Sequence, residues 1–342
     1  MTDGATRVGE SLEVLLETYR GELTGYCYRM LGSYFEAEDA VQETLVRAWR
    51  SFAGFEGRAA LRSWLYRIAT NVCLSMLSSS QRRARPLDLG PPGTADSTPG
   101  DPLPEHVWLG PVPDARVAAD ADDPAEAVVA RESIRLAFVA ALQCLPPRQR
   151  AVLILRDVLA WSAAEVATML GTSVASVNSA LQRARATVAA ADTGGDALRP
   201  LDAAQAELLD RYVRAFEAYD MDALVALLHE DVTLSMPPLP LWLRGRADVR
   251  AWMLGPGCGC RGSRLVPTSA NGMPAFGQYR TTGPWALIIL DVLNGRIRGI
   301  TTFLDAPRLF PLFGLPARLE DLPGRPAGGP VLADPPAVGV NR

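Results

Sequence analysis

Residues 35–49, FEAEDAVQETLVRAW, gather four carboxylates, Glu36, Glu38, Asp39 and Glu43, into nine positions and end on a tryptophan. Val41, Leu45, Ala48, Trp49 and Phe52 recur at helical spacing, which predicts an amphipathic helix over about 35–52 with this stripe turned inward. Acids in its first turn complement the positive helix end. Asp39 and Glu43, however, form an i, i+4 like-charge pair, which costs a helix roughly 0.2–0.5 kcal/mol. With Gln42 they make a hydrophilic strip suited to a basic partner, although a merely solvated face is an equal reading of the residues alone. The next predicted helix, about 59–79, has the opposite character. Arg58, Arg62 and Arg67 are followed by Arg82, Arg83 and Arg85, with no acid between Gly57 and Leu87, as a phosphate backbone would require.

Between the two lies RSFAGFEGR, residues 50–58, where Phe52 and Phe55 stand beside arginines and glycines. Aromatic faces next to cations can hold unstacked bases, at roughly 1–3 kcal/mol per stacked base. The plainer alternative is that both rings are core. Upstream, Leu12, Leu16, Tyr19, Leu23, Tyr26, Met30 and Leu31 predict a first amphipathic helix over 12–31. Three helices with short connections make a bundle over about 10–85.

From 86 to 123 the chain is rich in Pro, Gly and Asp without helical period and reads as a linker, with one apolar island around His106 and Trp108 expected to dock on a neighbouring surface. Asp123 and Pro124 then suggest the start of a helix running through 125–145 and stopped by Pro146 and Pro147. Ser162 and Glu165 stand at capping-box spacing, Gly171 supplies a left-handed stop, and Ser173 caps a further helix. Helix, glycine turn, helix within 124–191 is a helix-turn-helix. Its second helix presents Ser176, Asn178, Ser179, Gln182, Arg183 and Arg185, with Val174, Val177, Ala180, Leu181 and Ala184 expected to pack.

Beyond 203 two helices precede strand patterns in DVTLSM, SRLVPTSA, FGQYRTT, WALIILDVL and RIRGITTFL, and Asn294-Gly295 marks a type I′ hairpin. This is an α+β module with an antiparallel sheet over 203–318, followed by a loosely attached tail at 319–342. The fold class is thus two all-α domains, a three-helix bundle and a helix-turn-helix, plus a C-terminal α+β domain.

Hydrophobic residues make up 48% and charged residues 21% of the 342, ordinary for a soluble globular chain, and no apolar run reaches the roughly 18 residues of a membrane span. A cytoplasmic location fits, since no secretory signal opens the chain and the five cysteines lack a disulfide framework. Net charge is −4, so any DNA contact must be local, and with no lysine every fixed positive side chain is an arginine.

The order EAEDAVQETLVRAW, RSWLYRIATN, Pro-rich linker, then LPPRQRAVLILRDVLAWSAAEVATMLGTSVASVNSALQRAR resembles the extracytoplasmic-function group of the sigma-70 family over about residues 10–190. The resemblance implies that Asp39, Gln42 and Glu43 face RNA polymerase core enzyme. It implies that Phe52, Phe55 and Arg58 capture a flipped base of the minus-ten element, with Arg62, Trp64, Arg67 and Asn71 at or near the same DNA. The recognition helix would enter the major groove of the minus-thirty-five element. No cofactor or metal is implied.

Residues 203–318 look like a SnoaL-like domain, a cone-shaped sheet wrapped by helices around an apolar interior of the kind that takes a small-molecule ligand. His229, Glu230, Asp231, Tyr279, Arg280 and Asp291 are its candidate acid/base groups, but none forms a signature by spacing. Modulation of the sigma modules, without catalysis, is the expected role. The competing classes are a helix-turn-helix regulator acting without polymerase and a SnoaL-type enzyme tethered to DNA-binding modules. Cys258 and Cys260 in GPGCGCRGS lack the further ligands of a metal site.

Overall fold

The computed structural model describes residues 13–52, 55, 60–78, 83–117, 128–129, 131–191 and 203–321. Arg58, Arg82, the Asp123-Pro124 helix start and the tail from 322 lie outside them. The first bundle consists of α1 (Arg20–Leu31), α2 (Tyr34–Ser51) and α3 (Leu61–Leu77). Gly32 ends α1 at φ 75, and a Cβ there would lie 2.6 Å from the Leu109 side chain, so glycine is needed both for the turn and for the close approach of the following segment.

That segment, read as a linker, is docked along its described length. Ala84 bridges to Trp108, Gly93 to Leu243 and Pro113 to Ala270, and Trp108 is 5% exposed. Trp242 donates its indole N–H to the carbonyl of Gly90 at 2.9 Å. A short helix, α4 (Asp114–Val117), closes the segment.

The second helical module holds α5 (Leu136–Gln143), α6 (Pro147–Leu153) continued by a π turn over Ile154–Val158, α7 (Ala163–Leu170) and α8 (Val174–Ala190). The single helix expected through 125–145 is broken at residues 133–135, where Arg135 is extended at φ −56, ψ 140. Tertiary contacts override the local pattern. Ser133 Oγ accepts from buried Arg29 at 2.7 and 2.9 Å, the Ile134 carbonyl accepts from Asn271, and Arg135 pairs with Asp291 at 2.5 Å. A continuous helix would use up that carbonyl.

The C-terminal module runs α9 (Ala203–Glu217), α10 (Met221–Ala226), β1 (Leu228–Ser235), β2 (Trp242–Arg244), α11 (Arg246–Leu254), β3 (Arg264–Ala270), β4 (Met273–Arg280), β5 (Gly283–Leu293), β6 (Arg296–Phe303) and α12 (Ala306–Leu312). Sheet order is β2-β1-β6-β5-β4-β3. The sheet is mixed, not purely antiparallel as expected: the β3–β6 meander returns its last strand parallel to β1, with Leu234 opposite Ile300. Asn294 and Gly295 both have positive φ, 49 and 71, as a type I′ hairpin demands.

Both sheet faces are apolar. Phe276, Ile288 and Leu290 face α9–α11 and share one apolar core with Tyr212, Phe216, Met221 and Trp252. Ala275, Tyr279, Leu287 and Ile289 join one core shared with both helical modules. Hence WALIIL reads as a continuous apolar run.

The β3–β4 hairpin tip enters this shared core. Asn271 is fully buried at φ 56; its amide nitrogen donates to Tyr28 Oη at 2.6 Å and to the Ile134 carbonyl at 2.7 Å, and its oxygen accepts from the Val112 N–H at 3.1 Å. Tyr28 in turn donates to the Gly110 carbonyl at 2.8 Å, and Asp114 accepts from the Gly272 N–H at 2.7 Å. One side chain thus touches the first bundle, the docked segment and the second helical module. Replacing Asn271 by Gly keeps the left-handed backbone accessible but leaves the Val112 N–H and Ile134 carbonyl without it, at a cost of roughly 2–4 kcal/mol. Hydrogen exchange at the Val112 amide should therefore accelerate about 30- to 1000-fold; an unchanged rate would deny the tip its bracing role.

Candidate partner-docking and nucleic-acid interfaces

Helix α2 is started by Ser33, whose hydroxyl accepts from the Glu36 N–H at 3.4 Å. Its four carboxylates divide by direction. Glu36 pairs with the buried Arg83, and Glu38 accepts from Thr24 Oγ1 at 3.2 Å. Asp39, Gln42 and Glu43 are exposed, forming the predicted strip. Arg47 bonds Glu43 at 2.7 Å from one turn on, and Arg20 reaches Gln42 at 3.4 Å, so the strip is flanked by cations that temper the repulsion between Asp39 and Glu43.

At the far end of α2 three aromatic rings assemble. Phe52 and Phe55 stack at 5.8 Å, and Phe55 lies 5.0 Å from Trp64 at the start of α3. All three are half-buried, presenting a face and keeping a body packed. Trp49, expected on the inward stripe, is instead 53% exposed. The i, i+3, i+4 count admits it, but the bundle is already closed at that level by Leu45 and Ala48.

Arg67 and Asn71, one helical turn apart on α3, are exposed on the same side as the Trp64 end. Arg62 goes elsewhere. Its Nε bonds Glu22 at 2.9 Å, and its guanidinium lies 5.5 Å from the Tyr66 ring and 5.7 Å from the Trp161 ring of the helix-turn-helix module. Tyr66 and Trp161 meet at 5.0 Å, so α3 is clasped to α7 through its own first turns. The clasp is imperfectly satisfied: among the described residues Glu22 Oε1 and Trp161 Nε1 are buried without a hydrogen-bond partner.

The helix-turn-helix forms as its caps dictate. Ser162 Oγ accepts from the Glu165 N–H at 3.2 Å while Glu165 accepts from the Ser162 N–H at 2.7 Å, Gly171 is left-handed at φ 62, and Ser173 Oγ accepts from the Ser176 N–H at 3.1 Å. The reciprocal bonds hold Glu165 below its ordinary pKa. On α8, Val177, Leu181 and Ala184 pack inward, whereas Val174, grouped with them from sequence, is 44% exposed because it sits in the first turn beyond the reach of α7. Ser176, Asn178, Ser179, Gln182, Arg183 and Arg185 are all exposed. Arg183 bonds Ser179 at 2.8 Å, and Arg185 is held by both oxygens of Asp157 at 2.7 and 2.8 Å.

The acid/base candidates of the C-terminal module do not converge. Asp291 is spent between Arg135 at 2.5 Å and Arg298 at 2.6 Å, Asp231 pairs with Arg244 at 3.1 Å, and Tyr279 donates to the Pro316 carbonyl at 2.8 Å on the sheet face away from α9–α11. His229 Nδ1 accepts from the Asp231 N–H, and Arg280 stacks on Trp285.

Family models match in the same order. Sigma-70 region 2 covers residues 15–83, Sigma-70 region 4 covers 135–188, and a SnoaL-like domain covers 209–299. Over 312 residues the chain is 47% identical to the ECF RNA polymerase sigma factor SigG of Mycobacterium tuberculosis, spanning 89% of this chain and 83% of that protein. The chain belongs to the extracytoplasmic-function sigma factors. SigJ of the same organism is 33% identical over 300 residues, covering 82% of this sigma factor and 88% of SigJ. The crystal structure of M. tuberculosis SigJ superposes with a TM-score of 0.55 at 27% identity, over 88% of this chain and 98% of that one. This is an RNA polymerase sigma factor with a fused SnoaL-like domain, and its relatives are initiation factors, not enzymes.

Sequence reasoning missed Arg29, Arg135, Arg150, Trp161 and Asn271 among the residues that join the modules, and it placed Arg83 in a phosphate-facing run although its guanidinium is buried against Glu36. Asn271-Gly272 between two strand patterns was a readable hairpin signal of the same kind as Asn294-Gly295. The unpaired Trp161 donor gives the clasp a test. Trp161→Phe, which keeps the ring and removes the donor, should change stability by less than about 1 kcal/mol, whereas Trp161→Ala should cost about 3–5 kcal/mol in urea unfolding.

Proposed function

We propose that this sigma factor docks on core polymerase through Asp39, Gln42 and Glu43 before its DNA-reading surfaces are deployed. The observation that carries this is the asymmetry between α2, whose acidic strip is open to solvent, and α3, whose Arg62 and Tyr66 are clasped to Trp161 of the helix-turn-helix module. The minus-ten and minus-thirty-five elements are about 25 base pairs apart by their names, roughly 85 Å along B-DNA at about 3.4 Å per step. Two modules whose rings touch at 5.0 Å cannot serve both elements at once. Opening is therefore part of the function, and polymerase, which binds the open form, supplies the free energy for it.

In the open form the Phe52, Phe55 and Trp64 cluster holds a flipped base, with Arg58, Arg62, Arg67 and Asn71 on the adjoining strand. Asn178 and Gln182 read base edges of the minus-thirty-five element, and Ser176, Ser179, Arg183 and Arg185 position the helix on phosphates. The SnoaL-like module performs no reaction; it acts as the brace of the closed form in the cytoplasm, where polymerase works. What supports this is the use of its Asn271 and Asp291 as contacts to the other modules.

Asp39→Asn combined with Glu43→Gln should weaken core-polymerase binding by about tenfold or more, read by fluorescence anisotropy, since charge-assisted contacts are worth roughly 1.5–3 kcal/mol each. Arg183→Ala with Arg185→Ala should lower minus-thirty-five-dependent run-off transcription while leaving that affinity intact. In the same assay Asn271→Gly should raise transcript yield at limiting factor concentration. Tight operator binding by the purified chain without polymerase would instead favour an autonomous regulator.

A further inference from the structure

The loop between α11 and β3 carries chemistry that promoter recognition does not use. Pro256–Cys260 form a 3-10 turn with Cys258 exposed and Cys260 half-buried against the module core. Arg280 lies over this turn: its Nη2 is 4.0 Å from Cys260 Sγ, its Nε is buried without a partner among the described residues, and a Cβ on Gly259 would stand 3.3 Å from the guanidinium. A thiolate on Cys260 would thus face a cation with an unused donor edge, while the neighbouring thiol of Cys258 is open to solvent. We propose that Cys258 and Cys260 are a peroxide-oxidisable dithiol.

The chemistry balances in two steps. The Cys260 thiolate attacks a hydroperoxide, giving a sulfenic acid and, with one proton, an alcohol, or water when the oxidant is hydrogen peroxide. The Cys258 thiolate then attacks the sulfenic sulfur, forming the Cys258–Cys260 disulfide and expelling hydroxide, which takes up the Cys258 proton as water. Two electrons pass from the two sulfurs to the peroxide. In a reducing compartment the bond is transient and reports oxidant.

Closure of the bond requires the loop to change shape. At about three residues per turn, side chains two apart in a 3-10 turn point roughly 120° away from each other, so the sulfurs cannot meet until the turn opens. Opening breaks the bonds from the Cys258 N–H to the Gly255 carbonyl and from the Arg261 N–H to the Cys258 carbonyl, each 3.0 Å. Gly257 and Gly259 flank Cys258 and give the backbone that freedom. Strand β3 begins at Arg264, directly after this loop, and ends at Ala270 beside Asn271, so the dithiol sits at one end of the edge strand whose other end braces the modules.

The test uses the full-length chain and hydrogen peroxide. Trypsin should release residues 251–261 as one peptide holding both cysteines and no other. After brief peroxide treatment and alkylation this peptide should be about 2 Da lighter than its reduced, unalkylated form and carry no alkyl group, as expected for loss of two hydrogens. Cys144, exposed and remote in sequence, provides the comparison of a single thiol. Cys258→Ser should stop oxidation of Cys260 at the sulfenic acid, trapped by dimedone. Arg280→Gln should slow disulfide formation several-fold in the folded protein and not at all in urea. A peptide 251–261 that still takes two alkyl groups when Cys144 is already oxidised would overturn the proposal, as would equal rates for the wild type and Arg280→Gln.

Discussion

A single buried amide governs how the modules meet. Asn271 sits at a hairpin tip with no exposure and satisfies donors and acceptors belonging to three other parts of the chain. Burial raises the cost of leaving any of these groups unpaired, so the tip and its partners must move together or not at all. The break at residues 133–135 follows from the same constraint, because the Ile134 carbonyl is free for Asn271 only outside a helical ladder. Asp114 extends the site: burial pushes its carboxyl up, the Gly272 N–H opposes that shift, and the balance leaves the carboxyl with a pKa above its usual value. A carboxyl raised in this way contributes most when protonated, and its contribution falls as pH climbs from its ordinary value to its folded one.

Around this amide the remaining joints are built from arginine forks. Arg150 donates to the carbonyls of Met30, Gln143 and Leu145 and to the Gln143 side chain, tying α6 to the end of α1. Arg83 joins Glu36 to the carbonyls of Glu105 and Trp108. Arg29 is buried enough for its pKa to fall to about 10, which still leaves it charged at neutral pH. A chain without lysine has only planar, multiply donating cations available, and these suit carbonyl-rich helix ends better than a point charge does. Burying such charges contributes specificity of arrangement more than stability, since desolvation offsets much of the attraction.

Local signals in the sequence were legible where local energetics decide. The capping box at Ser162 and Glu165, the Ser173 cap, the Gly171 stop and the Asn294-Gly295 hairpin are each fixed by atoms within four residues, and each forms as its pattern dictates. The exposed strip of Asp39, Gln42 and Glu43 followed from helical periodicity alone. Periodicity could not tell that Trp49 and Val174 lie outward, because both sit at the edge of a stripe and only the neighbouring helix determines whether the edge is covered. The docked course of residues 83–117 was hidden for another reason. The bonds that dock it go to partners 22 to 203 residues away, and Pro- and Gly-rich composition describes how a chain bends without saying what it bends around. The parallel pairing of β1 with β6 was likewise set by the return of a whole meander, which strand patterns do not encode.

The two sides along which the modules meet are satisfied unequally. On the sheet side Asn271, Asp114 and Asp291 all have partners with good geometry. On the side where α3 meets α7, Trp161 Nε1 and Glu22 Oε1 are buried without a hydrogen-bond partner among the described residues. Parting α3 from α7 hydrates those two atoms and frees Arg62, so part of what is lost in ring contact is recovered. In the opening proposed above, the clasp is therefore the side expected to part first, with the docked segment and hairpin as the hinge side. A partner that binds only the open form must make up the difference, and every 1.4 kcal/mol of preference shifts the populations about tenfold. The unpaired atoms at the clasp lower that requirement without lowering the order of the modules, which the opposite side maintains.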